Sequence, residues 1–153
     1  MSEGDALRLT TKWVTQVAPI SDDISVNPMN IQRRTVVDRL YRNREYRPPW
    51  LWSLVDMIEN THSDTAEEGV RMIVHPTAGG KLRGAHNCGN CDEDVVAAIE
   101  RYSVSADVRE FDDLDCDCKA VWRVEIHNDL SLPVPLGTGS DRRGTPTDLL
   151  RAP

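Results

Sequence analysis

Four cysteines stand in two close pairs, Cys88-Gly89-Asn90-Cys91 and Cys116-Asp117-Cys118, and the chain has no others. A CxxC turn lets two sulfurs point at one ion, because glycine and asparagine tolerate the positive φ that the turn demands. In an extended strand residues i and i+2 share a face, so Cys116 and Cys118 can deliver a second pair of sulfurs to the same place. The 24 residues between the pairs suffice for a helix and a returning strand. The expected chemistry is therefore a tetrahedral site for one zinc ion, held by Cys88, Cys91, Cys116 and Cys118, with His86 as a possible substitute ligand. The surrounding Asp92, Glu93, Asp94, Asp112, Asp113, Asp115 and Asp117 attract a divalent cation and disfavour a bare thiolate.

A CxxC at the start of a helix also resembles the thioredoxin family. That resemblance implies a thiol oxidoreductase with Cys88 as the attacking thiol and Cys91 as the resolving one. Two features depart from the family: Lys81 to His86, leading into the motif, is polar, and acids crowd the helix start where a thiolate would need positive charge. The zinc nucleobase deaminases share the CxxC as well, but here no His-x-Glu lies upstream and Asn87, not proline, precedes Cys88. His62, His75 and His127 are scattered without ligand spacing and read as surface or turn residues. Gly79-Gly80-Lys81 and Gly137-Thr138-Gly139-Ser140 lack the frame of a phosphate loop and read as turns.

The second group with chemical potential is Arg33, Arg34, Arg39, Arg42, Arg44 and Arg47. It gives residues 31–47 a charge of +4 against −11 for the remainder of the chain. A phosphate or acidic-partner surface is one reading; the plainer one is a solvated helix face paired with the protein's own acids. The composition itself, 15 Arg against 3 Lys, carries no function. Tyr46, Trp50 and Trp52 could form a recognition patch, but their helical spacing with Leu51 and Leu54 reads first as core.

These residues must be positioned by a domain of ordinary size: 153 residues, 39% hydrophobic, mean hydropathy −0.47. Ala6 to Val17 carries Leu7, Leu9, Trp13, Val14 and Val17 among three threonines, which predicts a strand. Pro19 to Asn30 reads as a loop. Asn30 as N-cap, then Ile31, Val36, Val37, Leu40 and Tyr41, predict a helix to about Asn43. Pro48-Pro49 opens a second, deeply buried helix through Trp50, Leu51, Leu54, Val55 and Ile58. Val70 to Val74 predicts a strand, and Lys81 to His86 a returning hairpin arm. A third helix should begin directly after Cys91, with Val95, Val96, Ile99 and Tyr102 inward. Val104 to Phe111 and Ala120 to Ile126 alternate and predict two strands.

The fold class that follows is α+β: about three helices with a small, mostly antiparallel sheet, stapled by a four-cysteine zinc site, with extended termini. Residues 1–30 are expected as an N-terminal strand and loop arm, 31–130 as the core, and 131–153 as a flexible Pro/Gly-rich tail. The net charge of −7 disfavours a general nucleic-acid or anionic-membrane binder. No apolar run approaches the roughly 20 residues of a membrane helix, and Met1 to Ala18 does not read as a signal peptide, so a cytoplasmic protein is expected, or a virion component if phage-encoded. The functional expectation is a non-enzymatic, zinc-stabilised structural protein acting through protein–protein interaction, an accessory in the assembly of a larger complex such as a phage particle. A CxxC thiol oxidoreductase and a nucleic-acid-binding zinc protein using the arginine helix are the alternatives.

Overall fold

The computed structural model describes residues 1–128, so the expected tail at 131–153 lies outside the described residues. In chain order the elements are α1 (Glu3–Val17), a 3-10 turn (Ala18–Ile20), β1 (Asp23–Val26), α2 (Val36–Arg42), α3 (Leu51–Glu67), β2 (Arg71–Val74), α4 (Asp92–Ser105), a second 3-10 turn (Val108–Phe111) and α5 (Cys118–His127). The α+β class holds. Among the described residues there are five α-helices rather than about three, and the sheet is a parallel pair rather than mostly antiparallel.

The parallel pairing follows from the connection. β1 and β2 are joined through α2 and α3, and a chain that crosses over through helices returns in the same direction. The register sets Ile24 opposite Met72 and Val26 opposite Val74.

α1 corrects the strand expected at Ala6 to Val17. Ser2 and Asp5 form a reciprocal capping box, the Asp5 N–H donating to Ser2 Oγ at 3.0 Å and the Ser2 N–H to Asp5 Oδ2 at 3.3 Å. That start signal outweighs the β-leaning threonines. The inward residues, Leu7, Val14 and Ala18, lie at helical spacing, while Trp13 is exposed.

α2 is shorter than predicted. Thr35, not Asn30, is the N-cap, its hydroxyl accepting the Asp38 N–H at 3.1 Å. Ile31 is buried ahead of the helix and donates its N–H to the Arg83 carbonyl. The helix closes with the Arg44 N–H on the Tyr41 carbonyl and the Glu45 N–H on the Leu40 carbonyl. This Schellman arrangement puts Arg44 at φ 61°, where glycine is the usual residue. Arg34, just before the N-cap, also has positive φ, at 66°.

α3 is the central helix and buries residues all round, including Leu51, Trp52, Leu54, Val55, Met57 and Ile58. Trp50 and Trp52 are therefore core, not a recognition patch. The helix has no side-chain N-cap of its own, and its first amides are satisfied from elsewhere in the chain. Glu3 Oε1 accepts the Trp50 N–H at 2.9 Å and the Ser53 hydroxyl at 2.6 Å; Asn87 Oδ1 accepts the Trp52 N–H at 3.2 Å. Gly69, at φ 70°, ends α3 and lets the Val70 N–H reach the Thr65 carbonyl.

The expected hairpin arm at Lys81 to His86 is an irregular loop, tied down by the Gly80 N–H on the Ala85 carbonyl and the His86 N–H on the Pro49 carbonyl. The two strands expected after α4 are the second 3-10 turn and α5. In α5 the alternation of Trp122, Val124 and Ile126 misleads, because Val124 is 55% exposed while Cys118, Trp122 and Glu125 are buried. That spacing of four then three is helical. A cavity of about 400 Å³ lies beside α1 and α3, lined among others by Glu3, Leu7, Tyr46, Arg47 and Met57.

Candidate metal centre

Cys91 is the N-cap of α4 and Cys118 the first residue of α5, so the starts of two helices carry the two buried sulfurs. Cys88 and Cys116 lie in the loops before them and are half-buried. Cys116-x-Cys118 thus presents its pair at a helix start rather than along a strand. The four Sγ atoms lie within 4.8 Å of one another, with Cys88 to Cys91 at 4.0 Å, Cys88 to Cys116 at 3.7 Å and Cys91 to Cys118 at 3.6 Å. A tetrahedron with metal–sulfur bonds of about 2.3 Å has edges of about 3.8 Å. A disulfide would need a separation of about 2.05 Å, and all four cysteines are free. The arrangement can hold a metal ion.

The turn that makes it possible is built by Asp92. Its carboxylate accepts the Asn87 N–H at 2.9 Å and the Gly89 N–H at 2.7 Å, folding residues 87–91 into a knuckle with Gly89 at φ 91°. This acid, expected to draw a cation, is instead occupied with the backbone. Two polar groups face the sulfurs. Trp52 Nε1–H donates to Cys118 Sγ at 3.2 Å, and Asn87 Nδ2–H points at Cys91 Sγ at 3.4 Å. Asn87 is fully buried and joins the Cys91 sulfur to the start of α3 through its two side-chain atoms. Neither role was legible beforehand, although a polar residue immediately before a CxxC is a place to look for one. His86 is not part of the cluster, its Nδ1 lying 2.8 Å from the Gly84 carbonyl.

The thiols differ in acidity. Burial pushes Cys91 up to about 12 and pushes Cys118 up as well. Burial also opposes ionisation of Cys88, but donors from the Asn90 backbone and the Cys118 and Cys116 thiols outweigh it and bring its pKa below the ordinary value. Burial thus favours the protonated form of Cys91 and Cys118, and a bound cation would have to displace those protons.

The arginines expected as one binding patch divide. Arg47 turns inward, its Nη1 reaching Glu125 Oε2 at 3.1 Å and its guanidinium lying 4.4 Å from the Trp50 ring centre. Arg42 bonds Asp38 at 2.9 Å, and Arg83, missed by sequence because it is remote in the chain, bonds the same carboxylate. Arg33, Arg34, Arg39 and Arg44 are exposed.

Asp38 is buried, and the Arg83 guanidinium, the Arg34 N–H and the Arg42 guanidinium hold its carboxyl well below the usual carboxylate range. A depressed folded-state pKa contributes stability that is complete above the unfolded-state value near pH 4 and is lost as pH falls through the range beneath it. Urea midpoints measured from about pH 5 to 2 should therefore fall more steeply for the native chain than for Asp38→Asn, whose acid limb is flatter. Parallel limbs would remove Asp38 from the account.

No known protein family matches the sequence, and no solved structure matches it. Three curated relatives do match, all archaeal, and none is described as a phage or virion protein. An archaeosine synthase subunit beta of Methanosarcina acetivorans is 31% identical over 123 residues, 80% of this chain and 35% of that protein. Its namesake in Thermococcus kodakarensis is 30% identical over 131 residues, 85% of this chain and 40% of that protein. An uncharacterised protein of Methanocaldococcus jannaschii is 29% identical over 117 residues, 74% of this chain and 31% of that protein. Among the described residues no helix is long and apolar enough to cross a membrane. The chain is thus similar, over most of its own length, to a segment spanning about a third to two-fifths of two proteins named archaeosine synthase subunit beta and of a third without an assigned role.

Proposed function

We propose that this chain is a non-catalytic, zinc-stapled module that acts by binding within the apparatus that makes archaeosine, a modified nucleoside of archaeal tRNA. The observation that carries the reading is the cluster of four sulfurs, all within 4.8 Å of one another and three of the pairs at 3.6 to 4.0 Å, a spacing that suits a single four-coordinate ion. Four thiolates leave no open position for substrate or water, which is the arrangement of a structural site rather than a catalytic one. An all-sulfur donor set disfavours magnesium, calcium and manganese and suits zinc or a single iron, of which the reading takes zinc, and a site of this size has room for one ion and none for a cluster. That two relatives are named as a subunit of a synthase supports protein partners, and the zinc would set the angle between α4 and α5 that those partners meet.

Elemental analysis of protein purified under reducing conditions without chelator tests the metal: one zinc per chain, with all four thiols masked until denaturation, is the expected result. Metal-free protein whose thiols react freely would overturn the staple and put the CxxC thiol oxidoreductase in its place. The archaeosine assignment is tested separately, by nucleoside analysis of tRNA from cells lacking the gene. Archaeosine should disappear or fall sharply.

A further inference from the structure

Six arginines fall within residues 31–47, and the structure sorts them by role. Arg47 is spent inside on Glu125, whereas Arg42 pairs with Asp38 while its side chain stays 64% exposed. Asp38, the acid within α2 itself, is drawn under the surface and neutralised from three sides, by Arg83, Arg42 and the Arg34 N–H. Its burial leaves the outward face of α2 with Arg39 and, at its two ends, Arg33, Arg34 and Arg44, all exposed. Glu45, the nearest exposed acid in sequence, is engaged by the Asn43 side chain at 3.3 Å. Residues 31–47 thus carry +4 against −11 for the rest of the chain, and their exposed charged groups are Arg33, Arg34, Arg39, Arg42 and Arg44 with the single acid Glu45.

Two of these arginines occupy backbone conformations that their side chains disfavour. Arg34 and Arg44 bracket α2 at φ 66° and 61°, positions where glycine or asparagine costs less. Arginine at both ends of so short a helix places guanidinium groups at either edge of the face at a cost in backbone energy.

We infer that this face, formed by Arg33, Arg34, Arg39 and Arg44 around α2, binds the phosphate backbone of RNA. Guanidinium groups on exposed stems are the side chains that take phosphate oxygens in charge-assisted pairs, and their contacts carry no sequence information, so the surface positions RNA rather than reads it. The choice of RNA over an acidic protein segment rests on the archaeosine reading; the charge geometry stands without it.

The test is fluorescence anisotropy of a labelled, unmodified tRNA transcript titrated with the metal-loaded full chain across a range of salt concentrations. Affinity should fall linearly on a log–log plot against salt, and the triple replacement Arg33→Ala, Arg39→Ala, Arg44→Ala should weaken binding at least about tenfold at low salt and lower the slope by about 2 to 3. Arg44→Gly separates binding from folding, because it removes a charge and relieves a strained backbone at once. It should weaken RNA binding while raising the thermal midpoint by about 1–3 °C. Transcript binding unchanged in the triple variant, or absent at low salt, overturns the inference; binding of a polyglutamate peptide in place of the transcript also overturns it and assigns the face to an acidic protein. Loss of RNA binding in the triple variant with archaeosine unaffected in cells lacking the gene would retain this surface and refute the archaeosine reading alone.

Discussion

If the four cysteines hold a metal as proposed, removing it with excess chelator, or replacing Cys91 with serine, is expected to lower the free energy of unfolding by on the order of 3–5 kcal/mol. Structural zinc sites bind with more free energy than this, but two factors reduce the share that appears as stability. The CxxC turn retains some affinity for metal in the unfolded chain, and the hydrophobic core that runs through α3, α4 and β2 does not depend on the sulfurs alone. What is lost is the clamp between α4 and α5, since four sulfurs that regain their protons no longer hold the two helix starts to a common point. Urea unfolding followed by tryptophan fluorescence, with and without chelator, measures the difference. Each bound sulfur must shed a proton, so the metal-dependent share is present at neutral pH and disappears on acidification. A change below about 1 kcal/mol on full metal removal would mean that packing alone holds the two helix starts together.

The second large effect lies at the opposite end of α5. Glu125 is 5% exposed and serves Arg47 at 3.1 Å and the Trp50 indole N–H at 2.8 Å. Glu125→Ala leaves a mostly buried guanidinium without its carboxylate and a buried indole N–H without an acceptor, and should cost about 3–5 kcal/mol. Among the described residues Arg47 Nη2 has no hydrogen-bond partner, the guanidinium rests over the Trp50 ring, and the other nearby anion is the more distant Glu3. The double replacement Arg47→Met, Glu125→Leu should be closer to the native chain than either single replacement, since much of the single-variant cost is the stranded charge. If the double variant loses as much as the sum of the singles, the pair contributes through packing and not through its charges.

The cysteine site was the most legible part of the chain, because ligand spacing is a local property and the fold had only to bring two short motifs together. The helices at α3 and α4 were legible for a similar reason: Pro48-Pro49 and the acidic run after Cys91 mark their starts. Strand and helix were confused wherever the decisive information lay elsewhere. In α1 it was the reciprocal bond between Ser2 and Asp5, just outside the apolar residues that suggested a strand. In α5 it was the identity of the buried residues, since Val121 and Val124 are exposed and the polar Glu125 is buried. The arginine group was found as a group, but its division into inward and outward members depends on Glu125 and Arg83, neither of which is near it in sequence.

Three helices begin beside the sulfurs: α4 at Cys91, α5 at Cys118, and α3 through the bonds that Asn87 and Trp52 make. α1 has no such tie, being held on α3 and α5 by Leu7, Val14 and Ala18 and by the Glu3 carboxylate. The free energy of local opening is therefore uneven across the molecule. With a metal on the four sulfurs, amide hydrogen exchange is expected to be slowest at the starts of α3, α4 and α5 and faster along α1, which is held by packing and by the Glu3 and Thr15 side chains.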